Sequence, residues 1–379
     1  MDEHENSNSE DGGLSRRDLL IGAGSLVAGL TLAQAGAAFG AGRSSRATKV
    51  IGWSQSNRGV ALWNNVAIPA FEKEIAAKGY KSVVLDAKDN LGQQGANFEN
   101  LLTLGVKAIV MLPVSGPEAV SFVPRAKAQG VRIVAFNAAI MDPGVAAFVA
   151  RDNVKVAESI ARAALKDTGL RGNWVITNGD PANVVAQQIE KGYHNVIDPY
   201  IKNGTMKLVS DQYSKAWDPT VSRAQVEDAL TKTNDKITGI LNAADETAVG
   251  PLAALKERKL SGKVWMGSQN GIAEICRAIL LGQYTLSVFS QYDIGAKVAA
   301  DLAIKLANGQ NVTSPLKFDV GHGKTVPFFK VPVMEIRRST LVPYLKAYSP
   351  GYVDAKQVFA GVPKSKWPAG AAELLARKG

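Results

Sequence analysis

From residue 49 onward the hydrophobic and polar positions alternate in blocks. Apolar runs of four to seven residues, the pattern of strands buried on both faces, are separated by longer stretches. In those, apolar residues recur every three or four positions, as in amphipathic helices. The first half reads strand 49–54, helix 61–78, strand 82–86, helix 93–104, strand 108–112, helix 117–129 and strand 131–136. Gly79, Gly105 and Gly130 stand just past the three helices, where a left-handed stop is expected. The rhythm resumes after residue 153, with helix 154–166, strand 174–177, helix 184–197, strand 207–212, helix 219–231 and strand 239–242. Helix 247–258, strand 264–267, helix 272–281, strand 286–289 and helix 294–307 complete it. Strands alternating with helices imply βαβ units on a parallel sheet. Two such series predict an α/β chain of two doubly wound lobes. From Pro315 the helical pattern fades. Residues 326–336 are apolar and extended, with Pro327 and Pro332 demoting them to edge or irregular structure. Residues 350–379 are expected to form a tail packed on a surface or partly unstructured.

In open parallel sheets, ligands bind beyond the carboxyl ends of the strands. Residues 131–153 supply one wall of such a crevice. The strand stops at Asn137, a turn follows at Asp142-Pro143-Gly144, and a second apolar run ends at Arg151-Asp152-Asn153. There the chain is expected to cross between lobes, with Asp152 and Asn153 as hinge residues acting through the backbone. The other strands run out into Gln55, Asn57, Arg58 and Trp63, into 178–183, into 213–217, into Asp245, into Gln269 and Asn270, and into Ser290 and Gln291. Amides donate and accept hydrogen bonds, as sugar hydroxyls do. An aromatic face suits the apolar face of a sugar ring or polyol. Each position has a plainer reading: Trp63 fits a core equally well, and Asp245 and Glu246 fit the charged start of a helix. Trp217, in the polar run 214–219, is harder to place in a core and reads as a contact.

Composition narrows the function. The 379 residues are 46% hydrophobic and 21% charged, ordinary for a soluble chain of about two domains. The formal charge is +10; without residues 1–47 it is +12, from 40 basic and 28 acidic residues. The basic residues are spread along the chain and no run pairs them with aromatics, so a nucleic-acid partner is not expected. Cys276 is the single cysteine; it excludes an internal disulfide or a multi-cysteine metal site and reads as a buried thiol in a helix. His4, His194 and His322 have no ligand-spaced partner, and no metalloprotease, phosphate-loop or nucleophile-elbow motif is present. The chain therefore reads as a binding protein, not an enzyme, with no cofactor and no metal.

The amino end carries a polar leader, then Ser15-Arg16-Arg17-Asp18-Leu19-Leu20 and a Gly- and Ala-rich apolar run to Phe39. Residues 1–47 are read as a twin-arginine-type export signal and leader. The alternative is a membrane anchor, since the run is about long enough to span a bilayer; the small residues Ala33-Gln34-Ala35 favour cleavage. The expected location is the periplasm.

From about 49 to 352 the chain resembles the periplasmic sugar-binding proteins of ABC transporters, of the ribose- and xylose-binding kind. The stretches that carry the likeness are 105–113 (GVKAIVMLP), 130–137, 151–156, 207–217, 234–250 and 260–269 (LSGKVWMGSQ). The resemblance implies two lobes joined by three crossovers, a cleft between them that closes on the ligand, and no catalysis. It implies a sugar or sugar alcohol as ligand, a membrane permease as partner, and a monomer. A ligand-sensing receptor built on the same lobes is the alternative. The lobes are expected at 48–152 plus 292–320 and at 153–291 plus 321–352, with 353–379 as tail. Carried over position by position, the contacts fall at Arg58, Asn137, Asn183, Trp217, Asp245 and Asn270, with Gln291 beside the last carried position; together with Trp63, read from its place after the first strand, these are the expected contacts. Where the family has acidic residues this chain has Asn137, Asn183 and Asn270, and where it has a xylose-type lysine this chain has Ser290. Several charged contacts have thus become neutral together, which points to a neutral polyhydroxylated ligand, such as a sugar alcohol or modified sugar, and away from an aldopentose bound in the usual way.

Overall fold

The computed structural model describes residues 49–376; the leader, the arginine pair and the rest of the export signal lie outside the described residues. The strands are β1 Val50–Gln55, β2 Lys81–Asp86, β3 Ala108–Met111, β4 Arg132–Phe136, β5 Ala147–Ala150, β6 Gly172–Asn178 and β7 Met206–Tyr213. They continue with β8 Gly239–Asn242, β9 Trp265–Gln269, β10 Leu286–Ser290, β11 Lys317–Gly321, β12 Lys324–Lys330 and β13 Val333–Ile336. They form two sheets, ordered β11-β12-β5-β4-β3-β1-β2 and β13-β10-β9-β8-β6-β7. Each is parallel apart from one antiparallel edge pairing, β11 with β12 and β13 with β10.

The two-residue strand period divides each apolar run between two cores. In the first sheet Ile51, Trp53, Val134 and Phe136 face the helices Ile68–Ala77 and Tyr292–Ala307. Ile109, Met111, Ile133 and Phe148 face Leu91–Thr103 and Phe122–Ala128. In the second sheet Val175, Ile240, Met266 and Phe289 lie in one core, and Trp174, Ile176, Leu241 and Val288 in the other. This is the predicted pair of doubly wound α/β lobes.

The structure changes the expected boundaries in three places. Residues 321–330 belong to the first lobe, not the second. The turn at Gly321, His322 and Gly323, all with positive φ, folds the chain back so that β12 pairs with β5 at Phe328, Phe329 and Lys330. Phe318 and Phe328 pack with Phe148 there. Pro327 is tolerated away from an edge because the ladder with β5 begins one residue later. The third crossover is therefore at Val331 and Pro332. Second, helix 61–78 is not uniform. Pro69 has no N–H to return to the preceding turn; residues Leu62–Ala67 widen to π geometry, with Ile68 N bonding Trp63 O, before the α-helix Ile68–Ala77. Helix 117–129 likewise breaks, into Gly116–Ala119 and Phe122–Ala128. Third, the carboxyl end is helical, with Leu341–Tyr348, Ala355–Phe359 and Ala371–Ala376. Pro343 sits in a first turn, where the missing donor costs nothing. Val353, Val358, Phe359, Val362 and Leu374 are buried with Ile275 and Ile279, so the tail extends the second lobe's core.

The three crossovers are tied together. Val331 N donates to Ala150 O at 2.9 Å and Gln291 N to Pro332 O at 2.9 Å, while Lys330 Nζ pairs with Asp152 Oδ2 at 2.9 Å.

Candidate functional site: a cavity between the lobes

Beyond the carboxyl ends of the strands lies a cavity of about 450 Å³ walled by both lobes. The first lobe contributes Val60, Ala61, Leu62 and Trp63, then Asn137, Arg151 and Tyr292; the second contributes Glu246, Asn270, Ile272, Ala273 and Tyr352. Three of the sequence candidates, Trp63, Asn137 and Asn270, come together here.

Each is placed by local structure. Trp63 lies in the π-helical turn, and its ring meets Tyr292 edge-on at 4.8 Å. Asn137 ends β4 in the left-handed region, φ 60°, which asparagine tolerates better than most residues. It accepts a hydrogen bond from the Tyr292 hydroxyl. Burial pushes the Tyr292 phenol up, so Tyr292 stays neutral and a donor. Asn270 follows β9 with φ 121°, outside the left-handed helical well. Its side chain donates to Glu246 Oε2 at 2.7 Å, and its carbonyl accepts from Tyr352 Oη at 3.0 Å. Burial raises the Tyr352 phenol as well.

The other candidates stand elsewhere. Asp245 is fully buried and faces the interior of the second lobe: its carboxylate accepts from the Ser268 hydroxyl, from Ser287 Oγ at 2.9 Å, and from the backbone N–H groups of Gly271 and Ile272 at 2.7 and 3.0 Å. Asn183 is exposed and caps the helix Val184–Lys202, accepting from Val185 N at 2.8 Å. Trp217 packs over Gly179, where an added methyl would come within 2.3 Å of the ring. Arg58 is bound to Asn64 Oδ1 at 2.9 Å. Gln291 sits at the second crossover, its amide 3.4 Å from Tyr348 Oη. At the first crossover Asp152 caps the helix Asn153–Thr168 through Lys155 N, and Asn153 bonds Gln188 Oε1 at 2.8 Å. Asp152 and Asn153 lie where β5 of the first sheet passes into the helix Asn153–Thr168, and both are held through side-chain bonds.

Four polar or aromatic wall residues were not among the sequence candidates. Arg151 opens the cluster read as a crossover; it donates to Gln269 Oε1 at 3.0 Å across the lobes. Glu246 was visible only as Asp245's neighbour, and Tyr292 as the residue after Gln291. Tyr352 carried no signal, because it arrives from the helical end that the pattern did not reveal. The cavity is also less neutral than expected: Arg151 and Glu246 give it one charge of each sign. Aromatic rings, amides and a balanced charge pair suit an uncharged ligand with several hydroxyls. Among the described residues, no group of three or more acidic, histidine or cysteine side chains is arranged to hold a metal.

Residues 51–311 match the family described as periplasmic binding protein domain. The chain is 32% identical over 240 residues to the D-xylose-binding periplasmic protein of Escherichia coli, covering 63% of this chain and 72% of that one. It is 25% identical over 231 residues to a xylitol-binding protein of Mycolicibacterium smegmatis, covering 61% and 65%. Among solved structures, a periplasmic ribose ABC transporter protein of Conexibacter woesei superposes with a TM-score of 0.67 at 19% identity, over 79% of this chain and 94% of the other.

Proposed function

The chain belongs to the periplasmic binding protein domain family, and from that premise we propose that it is the solute-binding component of an ABC importer for a small uncharged polyhydroxylated ligand, a sugar or sugar alcohol. The observation that carries this reading is the inter-lobe cavity itself, of a volume that suits such a molecule, with Trp63 and Tyr292 on one wall, Tyr352 on the other, and amides and opposite charges between them. The ligand bridges Asn137 and Arg151 to Asn270 and Glu246. It meets both walls only when the lobes are closed, so it shifts the population toward closure by its differential affinity. Residues 151–153, 290–292 and 331–332 act as the hinge. Arg58, Asn183, Trp217, Asp245 and Gln291 are left out of the direct contact set. In this reading the closed monomer docks on a membrane permease, carries out no chemistry, and reaches the periplasm by the twin-arginine route.

The test is a thermal-shift screen of residues 48–379 against aldoses, sugar alcohols and non-sugar metabolites. A ligand at a hundred times its dissociation constant adds about 2.7 kcal/mol. A hit among sugar alcohols is expected. A hit confined to a common aldopentose would keep the sugar-importer reading and remove the polyol preference; a blank across sugars and polyols would remove both. For the export route, replacing Arg16 and Arg17 with lysine is expected to empty the periplasmic fraction of the protein.

A further inference from the structure

Asn270 is a costly residue to place where it stands. Its φ of 121° is one that side-chain-bearing residues rarely adopt, and Gly271 follows at φ 75°. Such a turn persists only when its surroundings over-determine it. Here they do. Asn270 N donates to Val288 O at 3.0 Å. Gly271 O accepts from Tyr344 Oη at 2.8 Å and from Cys276 Sγ at 3.4 Å. The N–H groups of Gly271 and Ile272 both end on one carboxylate oxygen of Asp245. A Cβ on Gly271 would come within 2.6 Å of Ile336 and Tyr344, so the turn cannot relax toward them.

Asp245 itself is fixed by what surrounds it. Ser268, Ser287, Gly271 and Ile272 together supply four donors, and Tyr284 Oη supports Ser268 Oγ at 2.7 Å. The next residue in the chain, Glu246, is the one that receives the Asn270 amide at the cavity wall. Asp245 thus stands behind both second-lobe polar groups without touching the cavity.

We infer that Asp245 is a positioning residue: its buried carboxylate fastens the Asn270-Gly271 turn, and so holds the Asn270 side chain against Glu246 in the orientation that meets the ligand. This rests on the reading of the cavity as the solute site, but part of it is measurable without any ligand.

A pH dependence separates positioning from plain structural support. Burial, opposed by the bonds from Ser268 and Ser287, pushes the Asp245 carboxyl up to about 7. The titratable groups facing it are Glu246 on its own helix, Tyr193, Cys276, Tyr284, Tyr344 and Tyr352. Because its folded-state value lies above the ordinary 3.8, ionised Asp245 opposes folding, and its contribution to stability improves as pH falls from about 7 toward 4. Protonation also turns charge-assisted bonds to Gly271 and Ile272 into weaker neutral ones. Affinity and global stability should therefore move in opposite directions on acidification, which a merely structural residue would not produce.

The experiment uses residues 48–379 with D-xylose and xylitol as probes. With wild type, affinity for the better probe is expected to fall roughly tenfold as pH drops through 7, while the melting temperature does not fall. Asp245→Asn, the isostere of the protonated form, is expected to show the weaker affinity at every pH and no midpoint near 7. Without probe, its Gly271 and Ile272 amides should exchange with solvent at least several-fold faster than in wild type, with residues 131–153 unchanged. Should Asp245→Asn fail to fold, Ser268→Ala, which removes a donor but keeps both backbone bonds, should move the affinity midpoint to higher pH. Unchanged exchange at Gly271 and Ile272, a pH profile retained in Asp245→Asn, or an unmoved midpoint in Ser268→Ala would each overturn the proposal. If neither probe binds, the affinity measurements pass to whichever sugar or polyol the thermal-shift screen returns; a blank there sinks the solute reading, and the exchange result still decides the role of Asp245.

Discussion

Asn137 and Asn270 are counterparts on opposite walls of one cavity, each an amide at the carboxyl end of a strand with positive φ, yet they are held by different physics. Asn137 sits in the left-handed well, and its side chain is met by a tyrosine hydroxyl from an aromatic cluster of Trp63, Phe136 and Tyr292. Apolar packing sets that wall. Asn270 sits in a more strained conformation and is fastened by a buried carboxylate, two tyrosines and a thiol. The first wall can be altered one contact at a time. The second behaves as a unit, because its members share acceptors and so couple.

That difference can be broken or sharpened by mutation. The largest effect is expected at Arg151, which faces the cavity from the first wall and bonds Gln269 of the second lobe. Arg151→Ala is expected to weaken ligand binding by about 1.5–3 kcal/mol, the range for a bond to a charged group, read by calorimetry on whichever probe binds. A loss no larger than that of a neutral contact would mean that the two walls do not share this side chain.

The sharpest contrast is a glycine at each asparagine. Asn270→Gly relieves strain that only glycine escapes, so the unliganded protein should gain about 1 kcal/mol while affinity drops. Asn137→Gly should lose affinity and gain no stability, since its conformation is already tolerated and the buried Tyr292 hydroxyl loses its acceptor. Equal thermal shifts in the two variants would erase the asymmetry between the walls.

Outside the cavity the expected changes are in stability alone. Asn183→Ala removes a helix cap and should cost about 1 kcal/mol with affinity unchanged; a marked affinity loss would return Asn183 to the contact set. The smallest effect belongs to His194, which bridges Asp211 at 2.8 Å and Asp198 at 2.6 Å. The Asp211 bond above all, against the opposing effect of burial, raises the imidazole to about 9. A base raised in this way stabilises the fold fully below its ordinary 6.5 and loses that contribution as pH climbs through about 9. His194→Gln should therefore cost something under about 1 kcal/mol at pH 6, given a side chain 30% exposed, and almost nothing at pH 10. A cost that persists at pH 10 would show that the histidine acts through packing.

Much of the fold was legible in order along the chain. Buried strands are short apolar runs, helices repeat every three to four residues, and glycine closes the helices, because each is a local consequence of period and backbone freedom. Where Pro69 and Pro327 stand, local rules misled. Pro69 widened a turn within a helix read as uniform, and Pro327 entered an interior strand whose ladder with β5 starts just past it. The late helices were hidden because, at eight, five and six residues, they are too short to show a period, and they are stabilised by the second lobe's core.

The sequence alone determined the two α/β series, the crossover at Arg151-Asp152-Asn153, and the placing of Trp63, Asn137 and Asn270 beyond strand ends. Those follow from hydrophobic period and from the rule that strand ends open on a crevice. Only the tertiary structure decided which polar residues face that crevice. It turned Asp245 inward and Glu246 outward although they are neighbours, brought Tyr352 from the far end of the chain, and set Arg151 against Gln269. The reason is geometric: a helix turns about 100° per residue, so adjacent side chains at its start diverge, and which one meets ligand is fixed by the sheet and helices packed against it.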